Sequence, residues 1–308
     1  MLQSIHVLLR MRAPRVWRTV FQGLGCITIA LAAAGCGGSD ELQQVKTKDV
    51  RTNPDNKSET AEKLQDAVTA KNFDEVKRCI GKRANPNIPL GSREETSVHL
   101  AVREGTPEIL SYLLSNGGKT DTENRDRQTP LIVAIDLGKL DFVKILLNAG
   151  SPANGNPMPD RNAASRDTSD DGTPEPRRKR PLIPLFVAAK KNRLEILKLL
   201  VDNGAEADKV DGQRRNVIFY AAEGADEETM KYVLGLGQDI NALDRQDGTA
   251  LMAAAEADNV PAIKVLVAEG ADVNNPKDKA GRTALMCAKM KRKEAAVKAL
   301  TELGAKEE

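Results

Sequence analysis

Few residues of this sequence have the type and spacing that catalysis or metal binding requires. His99 is the one histidine beyond residue 35, so a single imidazole is available there as a general base. Beyond residue 36 the thiols are Cys79 and Cys287, which lie far apart in the sequence. Because a zinc site of the usual kind needs closely spaced cysteine and histidine pairs, the sequence predicts none.

Other catalytic patterns are missing as well. The chain has no GxxxxGK[ST] phosphate-binding loop, no GxGxxG after a strand and no GxSxG. The adjacent acids Glu227 and Glu228, or Asp170 and Asp171, do not make a carboxylate pair, since neighbours in sequence do not face each other on a helix. We therefore expect neither an enzyme nor a cofactor site.

Cys36 is the residue whose surroundings indicate chemistry of another kind. It lies in LAAAGCGGSD (31–40), between small apolar residues and a polar stretch. It is preceded by a basic segment, an uncharged apolar segment over 19–35 and a small-residue exit. These three are the parts of a secretory signal. The apolar segment is shorter than the roughly 20 residues that span a bilayer. The basic residues are Arg10, Arg12, Arg15 and Arg18.

The exit Ala33-Ala34-Gly35-Cys36 resembles the lipobox of bacterial lipoproteins, although leucine is usual where Ala33 stands. The resemblance implies a signal peptide over residues 1–35, cleavage before Cys36 and acylation of its thiol. Gly37, in place of aspartate, favours the outer membrane of a two-membrane host. We therefore expect a bacterial cell-envelope protein, lipid-anchored and facing the periplasm. An uncleaved signal anchor, a start at Met11 and a cytosolic protein remain alternatives.

Residues 36–60 are polar and have no periodic apolar pattern, so they predict a lipidated flexible tether. Without residues 1–35, Lys+Arg falls from 46 to 42 while Asp+Glu stays at 44, which leaves a net charge of about −2. Nucleic-acid binding needs a basic footprint, so this balance gives it no support. Aromatic residues make up 3% of the chain, and the core is therefore expected to be aliphatic.

A repeated box dominates the rest of the chain. A degenerate first copy begins at Glu62, and the spacings between the starts of the later copies are 33, 54, 33, 33 and 34. An amphipathic pattern with apolar residues at i, i+3, i+4 and i+7, closed by a glycine, follows each copy. Each unit is therefore predicted to be a helix, a short turn, a second helix and a loop. The later boxes occupy residues 96–101, 129–134, 183–188, 216–221, 249–254 and 283–288.

The repeated unit resembles the ankyrin repeat in three respects. These are its period, its opening box of the Thr-Pro-Leu-His type, and its closing segment, seen in Gly270-Ala271-Asp272-Val273-Asn274. The resemblance implies an all-α solenoid of about seven helix-turn-helix repeats over 61–308, with a structural role for His99. Cys79 and Cys287 are then too far apart for a disulfide and are expected to be buried hydrophobes. Ile183 and Asn216 replace the opening threonine, so fewer helix-start hydrogen bonds are expected there.

The spacing of 54 in place of 33 lengthens one unit. The extra residues lie in the segment 154–180, which is rich in Pro, Asp, Asn, Ser and Arg and lacks apolar periodicity. We expect a disordered insertion in the loop between units three and four. Its end, the basic run 177–180, is interpreted as a solvated charge run or protease-sensitive site, with binding of protein or lipid as the alternative.

Ankyrin proteins bind partners through the loop tips and first helices of their concave face. In this chain the resemblance implies that the same surface is locally basic and binds a protein partner with acidic groups, because arginine binds carboxylates well. The alternative is that these cations are only solvated. We expect a monomeric, membrane-anchored scaffold, or alternatively an immunity or inhibitor protein against a periplasmic toxin or enzyme. The candidate partner-binding residues are Arg125, Arg127, Lys190, Lys191, Arg214, Arg215 and Arg245.

Overall fold

The structure is a computed structural model that describes residues 54–156, 182–274 and 278–306. These residues form fourteen α-helices and no strand, apart from one isolated bridge between Leu90 and Glu95. The predicted signal peptide over 1–35, Cys36 and the tether up to residue 53 lie outside the described residues, as do residues 157–181 of the insertion. The all-α solenoid predicted from the repeat is confirmed.

The helices come in seven consecutive pairs, one pair to each predicted unit. They are α1 (Pro54–Thr69) and α2 (Phe73–Gly81), α3 (Ser97–Arg103) and α4 (Pro107–Ser115), α5 (Pro130–Asp136) and α6 (Leu140–Asn148), α7 (Pro184–Lys190) and α8 (Leu194–Asp202), α9 (Val217–Gly224) and α10 (Glu227–Leu234), α11 (Ala250–Ala257) and α12 (Val260–Ala268), and α13 (Ala284–Met290) and α14 (Glu294–Glu302). We call these pairs repeats one to seven, and the first and second helix of each pair its inner and outer helix.

Threonine at the start of the repeated box begins most inner helices. Thr129, for example, precedes α5, and its hydroxyl accepts a hydrogen bond from the Ile132 backbone N–H. This cap satisfies one of the backbone donors that a helix start leaves unpaired. Ile183 has no such bond, as expected, whereas the Asn216 side chain accepts from the Ile218 N–H at 3.1 Å. The predicted deficit therefore holds for repeat four, and asparagine substitutes for threonine in repeat five.

The repeats stack in two rows. Consecutive inner helices contact each other from α1 to α13, and consecutive outer helices do so from α2 to α14. The apolar face of each helix is thereby buried against its neighbours in one continuous core, which a single repeat could not form alone. The largest fully buried side chains are nearly all aliphatic, as predicted, with Phe219 as the aromatic exception. Cys79 and Cys287 are buried free thiols, which confirms their expected role.

Two boundaries differ from those predicted. Helix α1 begins at Pro54, so residues 54–60, which the sequence analysis placed in the tether, are helical. At the insertion, Asn154 accepts from the Glu206 backbone N–H at 2.8 Å and donates to the Gly204 carbonyl at 3.2 Å. Asn156 donates to the Asp121 carbonyl at 2.9 Å. Residues 154–156 are therefore held in place by hydrogen bonds, rather than belonging to the expected disordered insertion.

Candidate partner-binding surface

Four of the loops that precede inner helices are each built around one acidic or amide side chain. We call the loops before α5, α9, α11 and α13 the finger loops. In the loop before α9, one oxygen of Asp211 accepts the backbone N–H groups of Gln213 and Arg215, at 2.7 and 2.9 Å. These bonds fix the tight turn that the loop makes. Asn124, Asp244 and Asp278 do the same in the other three loops.

Neighbouring finger loops are joined at their tips by backbone hydrogen bonds. The Arg125 N–H donates to the carbonyl of Arg93 in the preceding loop at 2.9 Å. The Arg245 N–H donates to the carbonyl of Gln213 at 2.8 Å, and the Lys279 N–H to that of Gln246 at 2.9 Å. These bonds set the spacing of the side chains at adjacent tips, so the loops form a defined surface beside the inner helices.

Four of the seven predicted cations form ion pairs with acids of the same or a neighbouring repeat, and three of these are simple pairs. Lys190 lies 2.5 Å from Glu223, and Lys191 lies 2.6 Å from Asp136. Arg127 pairs with Glu123 at the base of its own loop. Their charge is largely used within the molecule, so they are weak points of attraction for an acidic partner.

Arg215 lies in a denser cluster. Its guanidinium pairs with Asp211 at 3.1 Å and with Glu223 at 3.2 Å, and it covers the Tyr220 ring at 4.8 Å. The Tyr220 ring stacks on Phe186 of repeat four at 4.6 Å between centroids. This cluster ties a finger loop to two inner helices, and Arg215 therefore supports the fold of this surface.

The hydroxyl of Tyr220 donates to Asp211 at 2.8 Å. Burial, and then this bond to a carboxylate, raise the pKa of Tyr220 to about 12. Burial alone would raise the pKa of Asp211 too, but the hydrogen bonds from the Arg215 backbone and from Tyr220 outweigh it and lower that pKa. Asp211 therefore stays ionised and Tyr220 protonated at neutral pH.

Arg125, Arg214 and Arg245 complete the predicted set. Arg125 donates to the Ser92 carbonyl at 3.3 Å. Arg214 and Arg245 are exposed, and within the described residues neither forms an ion pair. The hydrogen bond from Arg245 to Gln213 places them on adjacent tips. All three arginines therefore keep a charge that is available to a partner, and Arg214 and Arg245 are the two that lie on adjacent tips.

His99 has no geometry for catalysis. It is fully buried, its Nδ1 lies 2.9 Å from the Thr96 hydroxyl, and its Nε2 lies 3.0 Å from the Gln128 carbonyl of the next loop. It closes a capping box at the start of α3 and links two repeats. Burial lowers the pKa of His99, although the hydrogen bond to Gln128 opposes this shift.

Among the described residues, no three side chains of His, Cys, Asp or Glu are grouped so that they could hold a metal ion. None of the described helices combines the length and apolar character that crossing a membrane requires.

Comparison with known proteins identifies the repeats. A family model described as ankyrin repeats matches three stretches of the chain, residues 64–156, 169–244 and 218–308. The chain belongs to the ankyrin-repeat family. Its solenoid is therefore of a type that typically mediates protein–protein interaction without catalysis.

Solved ankyrin structures have the same fold. The crystal structure of the human ASB11 ankyrin repeat domain superposes with a TM-score of 0.62 at 22% identity, covering 80% of this chain and 99% of that one. The ankyrin repeat domain of Bcl-3 gives a TM-score of 0.55 at 23% identity, covering 78% and 97%. Both likenesses show the fold alone.

Relatives found by sequence match only in part. Human Ankyrin repeat and SOCS box protein 11 is 28% identical over 125 residues, 41% of this chain and 32% of that protein. E3 ubiquitin-protein ligase XB3 of Oryza sativa subsp. japonica is 44% identical over 52 residues, 17% of this chain and 12% of that one. The matches cover a third or less of these relatives.

Some features of the ankyrin surface escaped the sequence analysis. Glu95 and Arg103 pair at 2.6 Å, eight residues apart, like Arg215 and Glu223 but with the charges exchanged. The repeat alignment carried this signal, since opposite charges recur at the same two positions. Met290, at the end of α13, is 65% exposed and was also missed, although the repeat alignment carried a signal, since charged residues stand at its position in most other repeats.

Proposed function

We propose that this ankyrin-repeat protein binds a protein partner at the bacterial cell envelope, held at the outer membrane by lipid on Cys36 and facing the periplasm. The partner presents carboxylates to Arg214 and Arg245. The observation that carries the proposal is the ordered row of finger loops, on which these two exposed cations lie at adjacent tips.

The membrane attachment rests on the sequence around Cys36. The basic segment, the short apolar segment and the small residues before Cys36 support cleavage and acylation there. Two or more acyl chains give stable attachment, whereas one is marginal. Palmitate labelling of the full chain in cells should disappear in Cys36→Ala; labelling that survives this substitution would rule out the anchor.

The proposed contact with the partner is tested by reversing the two exposed tip charges. Arg214→Glu/Arg245→Glu should weaken capture of the partner by about tenfold or more, since each reversal replaces attraction with repulsion. Arg214 has φ +65°, and Glu94 has φ +54° at the equivalent position of another loop, so glutamate fits the backbone. Crosslinking the tagged full chain in the envelope fraction, followed by mass spectrometry, measures the capture.

The matched control reverses Lys82 and Arg83, two exposed cations just after α2 in repeat one. This variant should capture the partner as the unchanged protein does. Equal capture by all three proteins would contradict the proposed contact. If the partner is an enzyme or toxin whose activity the complex abolishes, the protein is an inhibitor; a partner that stays active makes it a scaffold.

A further inference from the structure

A second cationic surface lies at the turn of repeat seven. Between residues 290 and 298 the sequence MKRKEAAVK has four cations and one acid. We call residues 291–293, between α13 and α14, the repeat-seven turn. The Arg292 N–H donates to the Lys289 carbonyl at 3.0 Å, and the Lys293 N–H to the Ala288 carbonyl at 2.9 Å. These bonds fix the backbone, so the position of the charges is set by the fold.

The charges of this turn are not neutralised as those of repeat four are. In repeat four, Lys191 pairs with Asp136 of the preceding inner helix at 2.6 Å. Lys291 and Glu256 occupy the equivalent positions but do not form that pair. Over the part of the chain that the structure describes, ion pairs are absent from Lys291, Arg292, Lys293 and Lys298.

Among the described residues, the acids of repeats six and seven near this turn form no ion pair with Lys291, Arg292 or Lys293. Asp258 accepts the Ala296 backbone N–H at 2.8 Å and so serves to join repeats six and seven. Glu256 lies in α11, the inner helix of repeat six. Glu294 is an exposed residue of the first turn of α14. The turn of repeat seven therefore keeps a local excess of positive charge.

Met290 places an apolar group beside these cations. With 65% of its surface exposed, it is the most exposed large hydrophobic residue of the described chain. In the inner helices of repeats two to six the same position carries a charged residue, and in repeat one it is Thr69. The charged residues are Arg103, Asp136, Lys190, Glu223 and Glu256.

We propose that Met290 and the repeat-seven turn, together with Lys298, dock an acidic segment of a protein that also carries an exposed apolar side chain. Carboxylates of the segment pair with Lys291, Arg292 and Lys298, and its apolar side chain packs on Met290. The inference rests on the proposed protein-binding function and extends that surface to the last described repeat. A protein fits better than a bilayer, because one methionine offers far less apolar area than the helices that bind membranes.

The test uses the full-length protein and a labelled peptide of alternating glutamate and leucine. Fluorescence anisotropy should show binding that weakens with added salt, because exposed charges are screened. Lys291→Glu/Arg292→Glu/Lys298→Glu should weaken it by about tenfold or more, and Met290→Ser by several-fold. A peptide of alternating glutamate and serine should bind the unchanged protein about as weakly as the leucine peptide binds Met290→Ser.

Controls separate this inference from the alternatives. Lys82→Glu/Arg83→Glu should bind the glutamate–leucine peptide as the unchanged protein does. Equal binding by the triple variant, or binding to phosphatidylglycerol vesicles but not to the peptide, would overturn the inference. In cells, the triple variant is compared with Arg214→Glu/Arg245→Glu for capture of the same partner. If the triple variant captures it and the double variant does not, the proposed function stands and this extension of it fails.

Discussion

At the scale of single residues, His99 shows how a group able to do chemistry is used for structure. Its two ring nitrogens lie against Thr96 and the Gln128 carbonyl, an arrangement that suits a neutral imidazole with the proton on Nε2. Because the side chain is fully buried, the charged form would lose its hydration and the hydrogen bond that Nδ1 accepts from the Thr96 backbone N–H. The neutral ring therefore helps to hold repeats two and three together.

His99 should make the stability of the domain depend on pH. Its pKa is below 6.5 in the folded state and near 6.5 when unfolded, so the unfolded chain binds more protons below that pH. Stability should be complete above pH 6.5 and fall as the pH drops, by at most about 1.4 kcal/mol per pH unit. Urea unfolding at pH 7.5, 6.5 and 5.5 measures this. His99→Gln should have a lower free energy of unfolding at pH 7.5, and that free energy should change less with pH over this range. An equal dependence on pH in both proteins would contradict the prediction.

At the scale of elements, adjacent repeats are joined where an inner helix turns into an outer one. Asn259 donates to the carbonyls of Ala222 and Ala225 in the preceding repeat, at 3.1 and 2.9 Å. Its oxygen also caps α12 by accepting the Ala262 N–H at 3.2 Å. At the equivalent position of repeat three, Lys139 donates to two carbonyls of repeat two but provides no cap.

Asn259→Ala should therefore lower the free energy of unfolding by about 1–3 kcal/mol, because it removes a cap and two hydrogen bonds between repeats. Asn259→Lys is the matched variant, since Lys139 shows that a lysine at this position reaches two carbonyls of the preceding repeat. It should lose only the cap and be destabilised less. Chemical denaturation of the three proteins measures the difference, and equal losses would mean that the bonds between repeats contribute little.

At the scale of the whole described domain, the solenoid continues across the insertion. Inner helices α5 and α7 are in contact, and Asn154 bonds to Gly204 and Glu206 in the next repeat. The contacts that join repeats three and four are thus made by residues on either side of 157–181. Stacking does not depend on the length of the chain between them, which is why one spacing of 54 is compatible with a repeat of 33.

Deletion of residues 158–178 should accordingly leave the fold intact. It restores the spacing of 33 between the boxes of repeats three and four. Since even a doubling of loop length costs only about 0.6 kcal/mol, the free energy of unfolding should change by less than about 1 kcal/mol. Urea unfolding followed by circular dichroism measures this. Loss of helix, or a second transition absent from the full chain, would show that the segment helps to join repeats three and four.

The period, the helix pairs, the aliphatic core and the burial of both cysteines could all be predicted from the sequence. These follow from local rules: an apolar face recurs at helical spacing, and Thr129 and its equivalents cap helices through a bond only three residues long. The same locality explains why Ile183 was correctly predicted to leave its helix uncapped. Asn216 was misjudged only because a second type of cap was not considered.

Which surface charges are available to a partner follows only from the three-dimensional packing of the repeats. Lys191 and Asp136 are distant in the sequence, and they pair because two inner helices stack and their side chains adopt compatible rotamers. Lys291 and Glu256 have the same relation in the repeat and remain unpaired, so sequence position does not settle the matter. An ion pair depends on distances of a few ångströms between flexible ends, whereas a helix depends on a pattern that the chain itself carries.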